Sequence, residues 1–216
     1  MINNITNLHV VDSTQTYLKE HLETTNTYDA VFATTQTKGY GRTGNWDSQY
    51  ENLYFSKLLP TDDNNHLTAI CSMHMLASKY YPDVEIKVPN DLYIGSKKIG
   101  GFIIENTNNK SILGIGINFN GSDNQFASIS EYTNVRYDIE ELALELDEFI
   151  NLNLQVPLDM LETYYKLNCH IVGKHVNYIE LASGDTFSGT VTELSANTIT
   201  IDNLEFNQMQ IKILDK

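Results

Sequence analysis

The chain has 216 residues, a formal net charge of −14 and a pI near 4.7. Such an acidic chain lacks the broad basic surface that grips nucleic-acid phosphates, which argues against a general nucleic-acid-binding protein. Its 41% hydrophobic and 10% aromatic content is ordinary for a globular protein with one substantial core and a small additional domain, and it argues against disorder.

The two cysteines and the N-terminus bear on the cellular compartment. Cys71 and Cys169 have no metal-ligand spacing and are too few for a disulfide framework, so both are predicted to be reduced and structural. The N-terminal segment has no basic region and no apolar run approaching the roughly 20 residues of a membrane span. We therefore expect a cytoplasmic protein with no membrane partner.

The first half of the chain reads as strands and helices around a glycine-rich segment. Ser13 and Thr14 resemble a helix N-cap ahead of TQTYLKEHLE. Residues 29–34 have the pattern of a buried strand and residues 52–59 alternate like a second strand, with the glycine-rich segment between them. Residues 64–80 have helical periodicity.

Short strand-like runs and two helices follow. The runs are residues 84–88, 92–94, 98–105 and 111–119, with a tight turn at Gly95 and Ser96. Helices are predicted over 138–151, where Asp138 and Glu141 form a capping box, and over 158–167. From Ile171 onward the pattern changes to strands broken by turns, which is typical of a small β-barrel. The sequence therefore predicts an α+β domain with a mixed or antiparallel sheet covered by helices, followed by an all-β tail, with the boundary near residue 170.

The segment TQTKGYGRTGNW, residues 35–46, holds three glycines around Arg42, one of only two arginines in the chain. The glycines allow positive φ and close approach to a ligand, so successive N–H groups can form an anion cradle. Arg42 adds a planar charged fork suited to carboxylate or phosphate. Taken alone, the segment is more typical of a mobile surface loop with one solvated arginine.

Three further motifs follow in order: KVPND at 87–91, KKIGG at 97–101 and GIGIN at 114–118. Lys98 follows a turn and begins an apolar strand, which would hold its ammonium near the end of the sheet; the alternative is one half of an exposed Lys-Lys pair. KVPND in isolation is more typical of a turn than of a site. The glycines of GIGIN would let another group lie close against the strand.

Several other kinds of site are not indicated. The six histidines have no metal-ligand spacing, and no GxSxG elbow or Walker A pattern is present. GYGRTG satisfies the letters of GxGxxG, but a tryptophan loop follows it instead of a helix, so a nicotinamide enzyme is not expected.

Together the four motifs resemble biotin protein ligase in its short form, without an N-terminal DNA-binding domain. The resemblance implies a class II synthetase-like catalytic domain over residues 1–170 and a small SH3-like β-barrel over residues 171–216. It implies activation of biotin with ATP to biotinyl-5′-AMP and transfer to a lysine of biotin carboxyl carrier protein, of acetyl-CoA carboxylase or of another biotin-dependent carboxylase. Mg²⁺ would be held largely by the ATP phosphates and water. No DNA partner is expected, and homodimerisation is a family-level expectation.

The resemblance also assigns roles to particular residues. Lys98 and Arg42 would be catalytic, with Lys98 contacting both the biotin carboxylate and the α-phosphate. The residues that would contact biotin are Ser13, Thr14, Gln15, Gln36, Gly39, Tyr40, Gly41, Arg42, Trp46, Lys98 and Gly101. Those that would contact ATP or the adenylate are Arg42, Lys87, Asn90, Lys98 and Asn118. Ser13 and Thr14 can serve as helix caps at the same time. Segments 36–47 and 120–130 would order over the adenylate when ligands bind.

The chain departs from the family pattern in three places, which keeps alternatives open. Tyr40 and Val88 replace an arginine and a tryptophan, and the loop is one residue shorter before Trp46. The alternatives are a lipoate or octanoate ligase, a non-catalytic biotin- or adenylate-binding protein, and an interaction module built on the β tail.

Overall fold

The structure is a computed structural model that describes residues 4–42, 44–46, 51–107, 109–123 and 125–214. Its helices are α1 (Thr14–Glu20), α2 (Asn65–Tyr80), α3 (Ser130–Thr133), α4 (Ile139–Asn153) and α5 (Leu158–Cys169), with a 3₁₀ turn at Gln208–Gln210. Its first nine strands are β1 (Ile5–Asn7), β2 (Val10–Val11), β3 (Ala30–Ala33), β4 (Thr35–Gln36), β5 (Leu53–Pro60), β6 (Val84–Lys87), β7 (Asp91–Ile94), β8 (Lys97–Thr107) and β9 (Lys110–Ile117). The remaining strands are β10 (His175–Glu180), β11 (Thr186–Leu194), β12 (Thr198–Ile201), β13 (Leu204–Asn207) and β14 (Ile211–Ile213).

A seven-stranded sheet forms the centre of the fold, in the order β1-β3-β5-β9-β8-β7-β6. β1 pairs with β3 in parallel and the other neighbours pair antiparallel. The predicted mixed α+β architecture is confirmed. The predicted turn at Gly95 is also present, with a φ of 57° that favours glycine.

Local sequence signals explain where two of the helices begin. Ser13 Oγ accepts a hydrogen bond from Thr16 N at the start of α1. Asp138 Oδ1 accepts from the backbone N–H groups of Glu140 and Glu141 at the start of α4. Both caps were predicted, because a short polar side chain at the N-cap pairs N–H groups that the helix leaves unpaired.

Helices cover the two faces of the sheet unequally. One face packs against α2, α4 and α5 and contains most of the apolar core, including Phe55, Leu67 and Leu146. The other face packs against the short α1, where Leu18 joins Leu58 in a small separate cluster. Because α1 has only seven residues, much of this second face is left for a cavity.

The last helix, α5, ends at Cys169 and the first strand of the tail, β10, begins at His175; the predicted boundary at residue 170 lies between them. The last five strands form a second, antiparallel sheet in the order β13-β12-β11-β10-β14. Tyr165 on α5 donates a hydrogen bond to Gln208 Oε1 at 2.6 Å, and both side chains are buried. The tail therefore packs directly against the helical layer.

The cysteines are as predicted: both are free and buried, and burial raises the pKa of Cys71 to about 12. Within the described ranges, no helix has both the length and the apolar character needed to cross a membrane.

Candidate active site

A cavity of about 540 Å³ opens on the α1 face of the large sheet. This volume lies in the range of about 300–1,000 Å³ that is usual for small-molecule sites. Thirteen residues with a predicted ligand role line it: Ser13, Thr14, Gln15, Gln36, Tyr40, Gly41, Arg42, Trp46, Lys87, Asn90, Lys98, Gly101 and Asn118. The structure thus brings together residues from separate parts of the sequence.

Gly39 is the one predicted ligand residue that does not line the cavity. It is buried, and its carbonyl accepts a hydrogen bond from Trp46 N at 2.9 Å. Gly39 therefore contributes a backbone contact that closes the loop, and its predicted contact with biotin stays a prediction.

The floor of the cavity is a network of buried polar side chains. Gln36 Oε1 accepts hydrogen bonds from Thr14 N at 2.8 Å and Thr14 Oγ1 at 3.2 Å. Ser56 Oγ lies 2.9 Å from Thr14 Oγ1 and 3.1 Å from Gln15 Oε1, while Gln15 Nε2 donates to Ile112 O at 2.9 Å. Amide and hydroxyl groups held this way can both donate and accept, which suits a ligand with a polar amide-like ring.

The glycine loop, defined here as residues 37–42 and 44–46, folds back on itself. Gly41 N donates to Gly44 O at 2.7 Å, and Tyr40 and Asn45 form an antiparallel bridge. Thr43 and Asp47, which belong to the segment predicted to order over a ligand, lie outside the described residues.

The described part of the loop does not use all the freedom that its glycines allow. The glycines with positive φ in the described chain are Gly95, Gly173 and Gly184, none of which belongs to the loop. The N–H groups of Gly41 and Trp46 donate to carbonyls inside the loop, so the anion cradle that the glycines would permit stays a prediction. The hairpin-like closure satisfies these amides internally, which the sequence pattern did not reveal.

Gly116 on β9 lets the Trp46 ring lie flat against the sheet. A Cβ at Gly116 would lie 3.0 Å from two atoms of that ring, so the ring would have to move by a few tenths of an ångström to admit a side chain there. The prediction that the glycines of GIGIN permit a close approach is therefore confirmed. Lys98 Nζ lies 5.1 Å from the centre of the Trp46 ring, so the tryptophan forms a wall beside the lysine.

Lys98 forms an ion pair at the edge of the cavity. Its Nζ lies 2.6 Å from Asp91 Oδ1, and about a quarter of each side chain is exposed. A Cβ at Gly101 would lie 2.8 Å from Asp91 Oδ1 and 3.1 Å from Lys98 Nζ. Gly101 therefore makes room for the pair, and the predicted Lys98 is a held ammonium rather than a freely solvated one.

Arg42 lies deeper than a surface loop residue would. Its Nη1 is 3.8 Å from Met209 Sδ in the tail. Burial lowers the pKa of Arg42, and the nearby charge of Asp91 opposes that shift. Four cationic side chains, Arg42, Lys87, Lys98 and Lys212, and two carboxylates, Asp91 and Asp123, line the cavity, which leaves net positive charge for an anionic ligand.

The KVPND turn contributes both contacts and support. Asn90 is buried, and its Nδ2 donates to Phe102 O at 2.8 Å, which ties the turn to β8. Lys87 Nζ lies 4.9 Å from the centre of the Tyr93 ring. Asn90 therefore has a structural partner, and Lys87 places its cation beside the Tyr93 ring.

Asn118 follows β9 directly and is held by two neighbours. Its Nδ2 donates to Ala127 O at 3.2 Å, and its Oδ1 accepts from Asn52 Nδ2 at 3.3 Å. Asn52 Oδ1 in turn accepts from Asn120 N at 2.9 Å. Asn52, which sequence reasoning missed, thus organises the strand end that carries Asn118.

Sequence reasoning also missed other lining residues. Ser56 and Asp91 were not assigned roles, although a polar residue inside an apolar strand and the carboxylate of KVPND were visible signals. Lys212, Ile213 and Leu214 bring the β tail to the cavity, and no local pattern indicated that. Among the described residues, no group of three or more His, Cys, Asp or Glu side chains is arranged to hold a metal.

Comparison with known proteins agrees with this arrangement. A model of the biotin/lipoate A/B protein ligase family matches residues 8–122, just over half of the chain. The chain belongs to this family. The Escherichia coli protein "Bifunctional ligase/repressor BirA" is 30% identical over 125 residues, which are 51% of this chain and 39% of that protein. "Biotin--protein ligase 2" of Arabidopsis thaliana is 33% identical over 105 residues, or 42% and 32% of the two chains. This family member therefore spans well under half the length of these curated relatives.

Solved structures match the whole length of the chain. The biotin protein ligase from Aquifex aeolicus in complex with biotin and ATP superposes with a TM-score of 0.83 at 26% identity and full coverage of both chains. The Helicobacter pylori biotin acetyl coenzyme A carboxylase synthetase with bound biotinylated ATP has a TM-score of 0.77 at 21% identity, covering 95% of this chain and all of that one. The catalytic fold is thus that of biotin ligases.

Proposed function

We propose that this protein is a biotin protein ligase. It activates biotin with ATP to biotinyl-5′-AMP and transfers biotin to a lysine of a biotin carboxyl carrier protein. The observation that carries the proposal is the single cavity in which Lys98 and Arg42 lie beside the polar floor of Thr14, Gln15 and Gln36. The full-length likeness to a ligase solved with biotin and ATP supports it.

In the first half-reaction a biotin carboxylate oxygen attacks the α-phosphorus of ATP and pyrophosphate leaves. Thr14, Gln15 and Gln36 hold the ureido ring, while Trp46 and Gly116 border the slot beside it. Lys98 leaves Asp91 for the reacting carboxylate and α-phosphate, and Arg42 adds charge there. Mg²⁺ would be held largely by the ATP phosphates and water, and would supply charge neutralisation for the leaving pyrophosphate.

In the second half-reaction the carrier lysine amine attacks the carbonyl carbon of the mixed anhydride, and AMP leaves. Lys87, Asn90 and Asn118 hold the nucleotide end while this occurs. The chain chiefly positions reactants and excludes water. Gly121 and Phe126, from segment 120–130, line the same cavity; Asn124 of that segment lies outside the described residues.

We also assign a domain to each part of the chain and a cellular compartment to the protein. Residues 1–170 form the biotin- and ATP-binding domain, and residues 171–216 form an SH3-like β domain whose Lys212 and Leu214 complete the cavity wall. The sheet order and the 3₁₀ turn before β14 support this assignment. Two free buried cysteines support a reducing compartment such as the cytoplasm.

The deciding experiment is ATP-dependent transfer of biotin to a purified carrier domain, with pyrophosphate release measured alongside. Transfer that needs both ATP and the carrier lysine supports the proposal. Preference for lipoate, offered as a competitor, would assign the protein to the lipoate branch of the family. Binding of biotin without pyrophosphate release would make it a non-catalytic binding protein.

Replacing Arg42 by glycine is expected to let the adenylate intermediate escape from the site. Loss of a charge-assisted contact to the adenylate should raise release of biotinyl-5′-AMP about tenfold, and biotinylation of bystander proteins should rise with it. The measurement is labelling of a bystander protein such as serum albumin in the absence of a carrier. The control is Arg136→Gly, which removes the other arginine of the chain, an exposed residue paired with Glu51. Equal bystander labelling by the two variants would contradict the role of Arg42.

A further inference from the structure

Tyr40 departs from the family pattern at a position where the resemblance leads one to expect arginine, and the structure shows what the phenol contacts. Its hydroxyl donates to Glu105 Oε2 at 2.8 Å. Lys19 Nζ donates to the same hydroxyl at 2.8 Å and to Glu105 Oε1 at 2.6 Å. The three groups therefore form a closed ring of contacts between the glycine loop, α1 and β8.

The chemistry of the ring fits tyrosine and not arginine. A phenol donates one hydrogen bond and accepts others, so it can join an ammonium to a carboxylate. Arginine has no acceptor and would place a second cation beside Lys19. The departure at Tyr40 is thus matched by residues on two other elements.

The electrostatic environment of Glu105 supports a stable contact among the three side chains. Burial by itself would raise the pKa of Glu105, but hydrogen bonds from Lys19, Gln15 and Tyr40 outweigh it and hold that pKa below its ordinary value. Gln15 belongs to the cavity floor. The ring is therefore connected to the part of the site that is assigned to biotin.

We propose that Lys19, Tyr40 and Glu105 form a latch that ties the glycine loop to α1 and β8 beside the cavity. The three are positioning residues, and they act by holding the loop that carries Arg42 and Trp46 in the arrangement described above. The proposal rests on the proposed ligase function only for its effect on biotin, since the contacts of the latch are all within the chain.

Closure in the absence of ligand is tested by hydrogen exchange at the Gly41 and Trp46 amides, which are bonded inside the loop, and by tryptic cleavage after Lys38 or Arg42. Tyr40→Phe keeps shape and removes both hydrogen bonds of the hydroxyl, and Glu105→Gln keeps shape and removes the carboxylate charge. Both variants should exchange and be cleaved about threefold to tenfold faster than wild type, because a hydrogen bond to a charged group is lost.

The chain provides a matched control in a second Lys-Tyr-Glu group between α2 and α4. Tyr80 donates to the Glu145 carboxylate at 3.0 Å and Lys79 Nζ pairs with Glu145 Oε1 at 2.8 Å. Tyr80→Phe removes the same hydroxyl from the same kind of group, remote from the cavity, and should leave exchange in the loop unchanged. Equal loop exchange in Tyr40→Phe and Tyr80→Phe overturns the latch, whether or not the protein transfers biotin.

Measuring KM for biotin distinguishes a positioning role of Tyr40 from a role in overall stability. Since a ligand that needs the closed loop binds more weakly when less of the protein is closed, Tyr40→Phe should raise KM for biotin by about the same factor as the exchange rate, with a smaller change in kcat. A faster-exchanging loop in a protein that forms no adenylate would reject the ligase function and keep the latch. An unchanged KM beside faster exchange would overturn the positioning role.

Discussion

Lys98→Ala is expected to lower ATP-dependent adenylate formation about 100-fold to 1,000-fold, the effect of removing one group that stabilises transition-state charge. The ammonium is already held beside the cavity, 2.6 Å from Asp91 Oδ1 and 5.1 Å from the centre of the Trp46 ring. Its removal leaves Arg42 to neutralise both Asp91 and the developing negative charge. The measurement is biotin-dependent pyrophosphate release under saturating ATP.

The neighbouring lysine is the control for this experiment. Lys97 is exposed at the start of β8, so Lys97→Ala changes the net charge by the same amount without touching the cavity. It should retain activity within about twofold, as expected for a surface substitution. A Lys98→Ala variant that stays within tenfold of Lys97→Ala would contradict the assignment of Lys98.

Supplying synthetic biotinyl-5′-AMP distinguishes the two half-reactions. In this substrate the bond between the biotin carboxylate and the α-phosphorus is already made. Lys98→Ala should therefore transfer biotin to the carrier far better from the synthetic adenylate than from biotin and ATP. Failure of transfer from the synthetic adenylate would place the main role of Lys98 in the second half-reaction instead. Either result depends on a ligase activity in the wild type, which the transfer assay measures first.

Much of the fold could be predicted because its signals are local. Ser13 and Asp138 cap helices through contacts within three residues, and Gly95 turns the chain at a positive φ. Alternation in residues 52–59 predicted a strand that the structure has at Leu53–Pro60. Such features depend on neighbouring side chains and backbone preferences, which a sequence displays directly.

The remainder depends on contacts between distant parts of the chain. Asn52 organises Asn118 across 66 positions, and Lys212 reaches the cavity from the tail. The closed form of the glycine loop depends on Lys19 and Glu105, which no motif includes. Resemblance identified the lining residues because it carries long-range information, but it also included Gly39, which is buried and does not line the cavity.

Lys57→Met is expected to lower the free energy of unfolding by about 3–5 kcal/mol, the usual cost of breaking a buried ion pair from one side. Lys57 Nζ lies 2.5 Å from Asp147 Oδ1 and donates to Tyr28 O at 2.8 Å, and its side chain is fully buried. The substitution leaves the Asp147 carboxylate buried with Asn151 Nδ2 as its remaining hydrogen-bond donor in the described structure. Equilibrium urea unfolding measures the loss.

Two further variants determine whether the loss of stability comes from leaving the Asp147 carboxylate buried without its lysine. Lys57→Met combined with Asp147→Leu removes both charges and should recover most of the stability, because an apolar pair of similar volume replaces a buried ion pair at little cost. Lys166→Met breaks a partly exposed pair with Glu162 on α5 and should change the free energy of unfolding by less than about 1 kcal/mol. A Lys57→Met variant as stable as Lys166→Met would contradict the prediction.

The same variants show how the buried pair relates to the cavity. Successive side chains of β5 point to opposite faces of the sheet, so Ser56 faces the cavity floor while Lys57 faces α4. If the pair only holds α4 on the sheet, Lys57→Met lowers stability and leaves KM for biotin unchanged in the folded protein. A rise in KM would mean that β5 shifts when α4 loosens, because Ser56 would then no longer hold Thr14 and Gln15 in place. We expect the first result, since β5 pairs along its length with β9 and that pairing does not depend on Lys57.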